Sequence, residues 1–122
     1  MPRTREPSST SKRGRRAERR AAWHYRLRGY RVLGANVWSG GNELDLILRR
    51  GDRLVFCEVK AKSGPRYGAP EEMVTPEKQR RLYRAAEAWL ARRPELADLE
   101  VAFEVVAEDE GRLRRLPLGD PL

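Results

Sequence analysis

Two runs rich in leucine, isoleucine, valine and phenylalanine, residues 43–49 and 53–61, are separated only by Arg50-Gly51-Asp52. So short a connection between two strand-like runs invites a hairpin. With Gly51 and Asp52 at the centre of the reversal, residues whose numbers sum to 103, as 51 and 52 do, stand opposite one another in an antiparallel pair. That register sets Asp45 against Glu58 and Glu43 against Lys60. A side-chain period of two then brings all four onto one face. Like charges directly opposite each other destabilise a sheet, so the Asp-Glu pair calls for a cation, supplied by Lys60, by an arginine or by a bound divalent metal.

Two carboxylates at this separation suit Mg²⁺ or Mn²⁺, which prefer hard oxygen ligands and keep several waters for substrate and nucleophile. A lysine two residues after the glutamate has a task there: orienting or deprotonating an attacking water, or stabilising a pentacovalent phosphorus. Ordinary cross-strand ion pairs over water fit the same spacing. The chemical reading is favoured by two acids and a lysine beside the Ser39-Gly40-Gly41-Asn42 turn in a basic chain.

The flanking sequence supplies helices and further strands. Residues 1–12 are proline, serine, threonine and charge with nothing to bury, a disordered basic tail preceding one domain over 13–122. Residues 13–28 lack proline, are rich in alanine and arginine, and end at Gly29, which predicts a helix. On its wheel Glu18, Ala21, Ala22 and Tyr25 share a face while Trp23 and Leu27 fall nearly opposite, so periodicity leaves open which side is buried. Residues 30–38 read as a strand, and 62–70, with Gly64, Pro65, Gly68 and Pro70, as a loop. Thr75-Pro76 marks the start of a second helix running to about Arg93, with Leu82, Ala85, Ala86, Trp89 and Leu90 as its apolar stripe. Residues 101–107 predict another strand and 113–116 a short edge strand before Pro117. The order α-β-β-β-α-β(-β) describes an α/β domain with a mixed sheet flanked by helices.

Composition narrows the partner. Lysine plus arginine outnumber aspartate plus glutamate by 26 to 18, a net charge of +8 that favours a polyanion such as nucleic acid over an acidic small molecule, although surplus arginine also serves solubility. Cys57, the lone cysteine, lies in the apolar run Leu54-Val55-Phe56-Cys57, which argues for a buried thiol and against thiol catalysis. No apolar stretch is long enough to cross a bilayer and no secretory apolar centre begins the chain, so the expectation is a cytosolic protein with no membrane partner. His24, beside Trp23, is read as packed or exposed rather than metal-binding. For DNA contact the candidates are Lys62, Arg66 and Tyr67 in the loop, and Lys78, Gln79 and Arg81 at the second helix's start.

Gly41-Asn42-Glu43-Leu44-Asp45-Leu46-Ile47 followed by Leu54-Val55-Phe56-Cys57-Glu58-Val59-Lys60 resembles the YraN-like family of predicted endonucleases, relatives of archaeal Holliday-junction resolvases and of the PD-(D/E)xK nucleases. The resemblance begins near Gly14, includes Ala17-Glu18, Gly29-Tyr30, Asn36, Tyr67-Gly68, Pro70, Thr75-Pro76 and Lys78, and continues through the strand at Phe103 and Val106. It implies a restriction-endonuclease-like fold, with Asp45 and Glu58 as ligands of Mg²⁺ or Mn²⁺, Lys60 as catalytic lysine, Glu18 as a helix-borne acid approaching the same metal, and Glu43 in support. The implied activity is metal-dependent endonucleolytic hydrolysis of DNA, with branched or damaged DNA as candidate substrates in repair or recombination. By analogy with resolvases, a homodimer is expected. A non-catalytic nucleic-acid-binding module that keeps the fold is the alternative. Asn42 stands where the family usually has a second glycine, Ala102 where a basic residue is common, and Glu104 where aspartate is frequent.

Overall fold

The computed structural model describes residues 12–62, 75–109 and 111–118, the side chains of Lys12, Arg13 and Lys62 excepted. Residues 1–11 of the predicted 1–12 tail and most of the predicted loop, including Arg66 and Tyr67, lie outside the described residues, while Lys12, placed in the tail, is the first residue of a helix. The elements are α1 (Lys12–Arg26), β1 (Arg31–Ser39), β2 (Asn42–Arg50), β3 (Arg53–Lys62), α2 (Pro76–Ala91), a 3₁₀ turn (Pro94–Leu96), β4 (Glu100–Asp109) and β5 (Arg112–Pro117). This is the predicted α/β order. The strands form one five-stranded sheet in the order β1-β2-β3-β4-β5. Only β3 and β4 run parallel, joined through α2, so the sheet is mixed.

Each helix covers one face. On one side Leu82, Ala85, Ala86 and Trp89 of α2 pack with Leu44, Ile47, Leu54, Phe56 and Phe103. Phe56 meets the Trp89 ring edge-on at 5.7 Å, and burying a ring of that size contributes roughly 2–3 kcal/mol. On the other side Ala21, Ala22 and Tyr25 of α1 pack with Leu46, Leu48, Val55, Cys57 and Val106. The open question of the α1 wheel is thereby settled: the Ala21, Ala22 and Tyr25 face is buried, while Trp23 and Leu27 are exposed. Helix α1 ends two residues before the predicted boundary. Gly29, at φ +90°, donates its N–H to Arg26 O, and Tyr30 N–H reaches Tyr25 O, a left-handed closure that favours glycine.

Helix α2 starts as its sequence dictates: Thr75 caps it through Lys78 N–H to Oγ1 at 3.2 Å, with Pro76 in the first turn. The β1–β2 turn is made by Gly40 and Gly41, both at positive φ, while Asn42 pairs with Ser39 at the start of β2. The departure from glycine at Asn42 therefore falls in regular strand, where no left-handed backbone is needed. Ser39 Oγ donates to Ala85 O at 2.9 Å, and a Cβ on Gly40 would stand 3.0 Å from Arg84 O, so this turn is seated directly on α2.

Candidate functional site

The β2–β3 register is the predicted one, with Leu46 opposite Cys57 through to Arg50 opposite Arg53. It stops at Leu46 and Cys57. Beyond that point β3 stays paired with β4 as far as Lys62 and Asp109, and β2 with β1 as far as Asn42 and Ser39, so the sheet forks between β2 and β3. Asp45 stands at the fork. Its Oδ2 accepts the Val59 backbone N–H at 2.8 Å, taking the place of a ladder carbonyl and satisfying a donor the fork would otherwise strand.

Strict alternation, which would put Glu43, Asp45, Glu58 and Lys60 on one face, fails at this point. Leu44 and Ile47 lie in the α2-side core, whereas Leu46 and Leu48 lie in the α1-side core. A period of two would have joined 44, 46 and 48, so the phase slips at Asp45. The facing strand is irregular at the matching position. With Ala35 opposite Leu46 and Val37 opposite Leu44, Asn36 falls against Asp45, and it adopts φ +54°, a left-handed conformation asparagine tolerates better than most residues. Glu58 and Lys60 alternate with Cys57 and Val59 of the α1-side core and so belong to the opposite side of β3. Lys60 Nζ lies 3.2 Å from Glu58 Oε2, both side chains about one-fifth to one-quarter exposed.

These groups act on one another electrostatically. Burial first, then the charges of Glu58, Glu18 and Glu43, push the Asp45 carboxyl well above its ordinary value, against the opposing Val59 N–H bond. Glu18 is likewise raised, by burial and by Glu43 and Glu58, with a hydrogen bond from Asn36 and the charge of Arg15 working the other way. The helix-borne acid and the three strand acids thus form one interacting cluster, with Lys60 paired inside it. Asn36 is the residue that sequence reasoning left without a role; its signal is only visible once β1 and β2 are in register.

Helix α1 is held in place from below. Tyr25 Oη donates to Glu104 Oε1 at 2.5 Å, and Arg115 Nε and Nη2 and Arg53 Nη2 reach the same buried carboxylate at 3.0–3.1 Å. Arg20 pairs with Glu108 at the far end of the same strand. Burial alone would raise the Glu104 carboxyl, but the bonds from Arg115, Tyr25 and Arg53 outweigh it and hold the group below its ordinary value. An acid amid the apolar run of β4 was the sequence signal of this network. Cys57 is buried, as expected, and its thiol is pushed well up by that burial, which makes it inert as a nucleophile.

Of the predicted DNA contacts, Lys78 is exposed, Gln79 accepts from Tyr83 Oη at 3.3 Å, and Arg81 is paired on the surface with Glu77 at 2.8 Å. Among the described residues no three His, Cys, Asp or Glu side chains are arranged to hold a metal ion. Asp45 and Glu58 nevertheless fit Mg²⁺ or Mn²⁺ by donor chemistry: hard oxygens, crowded acids that a cation would relieve, and an ion that needs only one or two carboxylates and completes its shell with water.

The fold and site define a small mixed α/β protein whose sheet forks around a cluster of acids at the junction of its two helical layers. Residues 17–107 match the profile of the uncharacterised protein family UPF0102. The chain belongs to that family, the YraN-like one its motifs resemble. A UPF0102 protein of Paramagnetospirillum magneticum is 41% identical over 118 residues, 93% of this chain and 90% of its own length. One from Symbiobacterium thermophilum is 44% identical over 104 residues, 83% of this chain and 87% of its own length. No helix among the described residues is long and apolar enough to cross a membrane.

Proposed function

We propose that the forked site hydrolyses DNA phosphodiester bonds endonucleolytically with Mg²⁺ or Mn²⁺, in the manner of the PD-(D/E)xK nucleases. The observation that carries this reading is the half-buried Asp45 carboxylate, held by Val59 N–H and acted on by the charges of Glu18, Glu43 and Glu58, with the Lys60 ammonium paired to Glu58. Such crowding destabilises the fold unless a positive ligand offsets it, and function is the usual reason for keeping it. Asp45 and Glu58 would hold the ion, with Glu18 approaching it from α1 and Glu43 in support. When bound, the ion neutralises phosphate charge and lowers the pKa of a water nucleophile.

The chain's own residues then have separable tasks. The Val59 amide fixes the orientation of the Asp45 carboxylate. Lys60, anchored on Glu58, offers an ammonium that orients the attacking water and stabilises charge on the phosphorus oxygens. Asn36 holds Glu18 toward the cluster. The net charge of +8 draws the polyanion to acids that alone would repel it. Branched or damaged DNA is the proposed substrate, in repair or recombination. A homodimer is the proposed working unit, since two opposed strands need two sites, and the cytosol is its proposed setting.

A second reading, a non-catalytic nucleic-acid-binding module, is favoured by the lack of three metal-arranged side chains among the described residues. Incubation with branched, single-stranded and duplex DNA, in Mn²⁺ or EDTA, separates the two. Cleavage should need Mn²⁺ and vanish in Asp45→Asn and Glu58→Gln. Cleavage indifferent to both substitutions would refute the site, and DNA binding without cleavage would favour the second reading.

A further inference from the structure

Helix α1 has an outer face that the acid cluster does not use. Trp23 is 58% and Leu27 78% exposed, one turn apart, on a chain with charge enough to cover them. Two grooves meet at Trp23. The first, about 310 Å³, opens on Glu18 and Asn36 and is walled by Arg15 and Arg26. The second, about 530 Å³, crosses the outside of α1 between Arg16, Arg20 and Arg28 toward Gly111 and Leu113. Arg19 and Trp23 line both, so the indole stands on the divide of one path leading from the acid cluster across the helix.

The chemistry of this path is specific. Arg16 and Arg19 form no ion pair among the described residues, whereas Arg20 is paired with Glu108. The Arg26 guanidinium lies 5.3 Å over the Trp23 ring, and His24 Nε2, on the wall of the second groove, is buried without a hydrogen-bond partner among the described residues. Guanidinium groups flanking an exposed indole are what a single nucleic-acid strand requires: cations for phosphates and a flat surface for a base. A second copy docking by two-fold symmetry would set the same arginines against each other. A membrane surface is planar, while this path is concave and ends at the Glu18 carboxylate. Apart from the His24 nitrogen, the second groove's side chains are guanidinium donors and flat or apolar surfaces, which suit phosphates and a base face.

We propose that single-stranded DNA runs along this path, with a base stacked on Trp23 and its phosphates held by Arg16, Arg19 and Arg26. The strand bound is the one flanking the phosphate at the acid cluster, a point that rests on the nuclease reading; the binding itself does not.

The test is fluorescence anisotropy in EDTA with a labelled oligothymidine of about 15 nucleotides, close to the upper site size of single-strand binders. Trp23→Ala should weaken binding by about 5- to 100-fold, with Trp23→Phe recovering part of the loss. Arg16→Glu with Arg19→Glu should lower the slope of log affinity on log salt by about 1.4, or about 0.7 for each phosphate no longer neutralised. Arg92→Ala, exposed beyond α2, should leave affinity unchanged. Unaltered affinity in Trp23→Ala overturns the proposal, as does tighter binding of the matching oligouridine or of anionic phospholipid vesicles. If Trp23→Ala binds normally while the wild type cleaves, the groove falls and the acid cluster stands. If affinity is lost in a protein that cleaves nothing, the groove stands and the acid cluster falls.

Discussion

Replacing Glu104 removes the acceptor on which four hydrogen bonds converge, from Tyr25, from Arg53 and two from Arg115. The Glu104 side chain is 6% exposed, while those of Arg53 and Arg115 are 35% and 27% exposed. Removing one member of a buried ion pair typically costs 3–5 kcal/mol because the partner is left unpaired, but these arginines can partly turn to water, so Glu104→Ala should cost about 3 kcal/mol. Glu104→Gln keeps the shape and one acceptor and should cost about 1–2 kcal/mol. Both should remain folded, given the roughly 5–15 kcal/mol of an ordinary domain. Urea unfolding followed by tryptophan fluorescence, with an unchanged m-value, measures both. The pH dependence adds a sign. The Glu104 carboxyl is held below its ordinary value of 4.5, so its stabilisation is complete above that value and is lost as pH falls through the lowered one. Stability of the wild type should therefore drop more steeply than that of Glu104→Gln on acidification from neutrality. Losses below about 1 kcal/mol in both variants would refute the view that this carboxylate anchors α1, and Glu18 with it, to the sheet.

Asp45→Asn should raise stability at neutral pH, because the Asp45 carboxyl is shifted upward in the fold: its ionised form is disfavoured there, and the advantage of the variant should shrink as pH is lowered through the raised value. Urea midpoints at mildly acidic and mildly alkaline pH check this, and Mn²⁺ should raise the wild-type midpoint without raising that of the variant. Lys60→Ala should lower the cleavage rate by about 10²–10³-fold while leaving DNA affinity in EDTA nearly unchanged, read by single-turnover kinetics beside anisotropy. Gly40→Ala should cost about 1–2 kcal/mol in thermal or urea unfolding, from left-handed backbone strain at φ +58° and a Cβ only 3.0 Å from Arg84 O.

The sequence by itself determined what is local: the two-residue reversal at Gly51-Asp52 and its register, the Thr75-Pro76 helix start, the apolar stripe of α2, the burial of Cys57 and the order of the elements. Each depends on short-range sterics, capping or periodicity, which neighbouring residues specify. Tertiary structure alone decided which side of α1 faces the sheet, because alanines on one face and Trp23 with Leu27 on the other gave periodicity no preference. It alone decided the fork. Alternation within a strand cannot reveal where its neighbours separate, and the slip at Asp45, opposite the left-handed Asn36, arises because β3 stays with β4 after β2 leaves it. The acids therefore act on one another across a gap between strands instead of along one ladder, a relation between chain segments that no local pattern encodes.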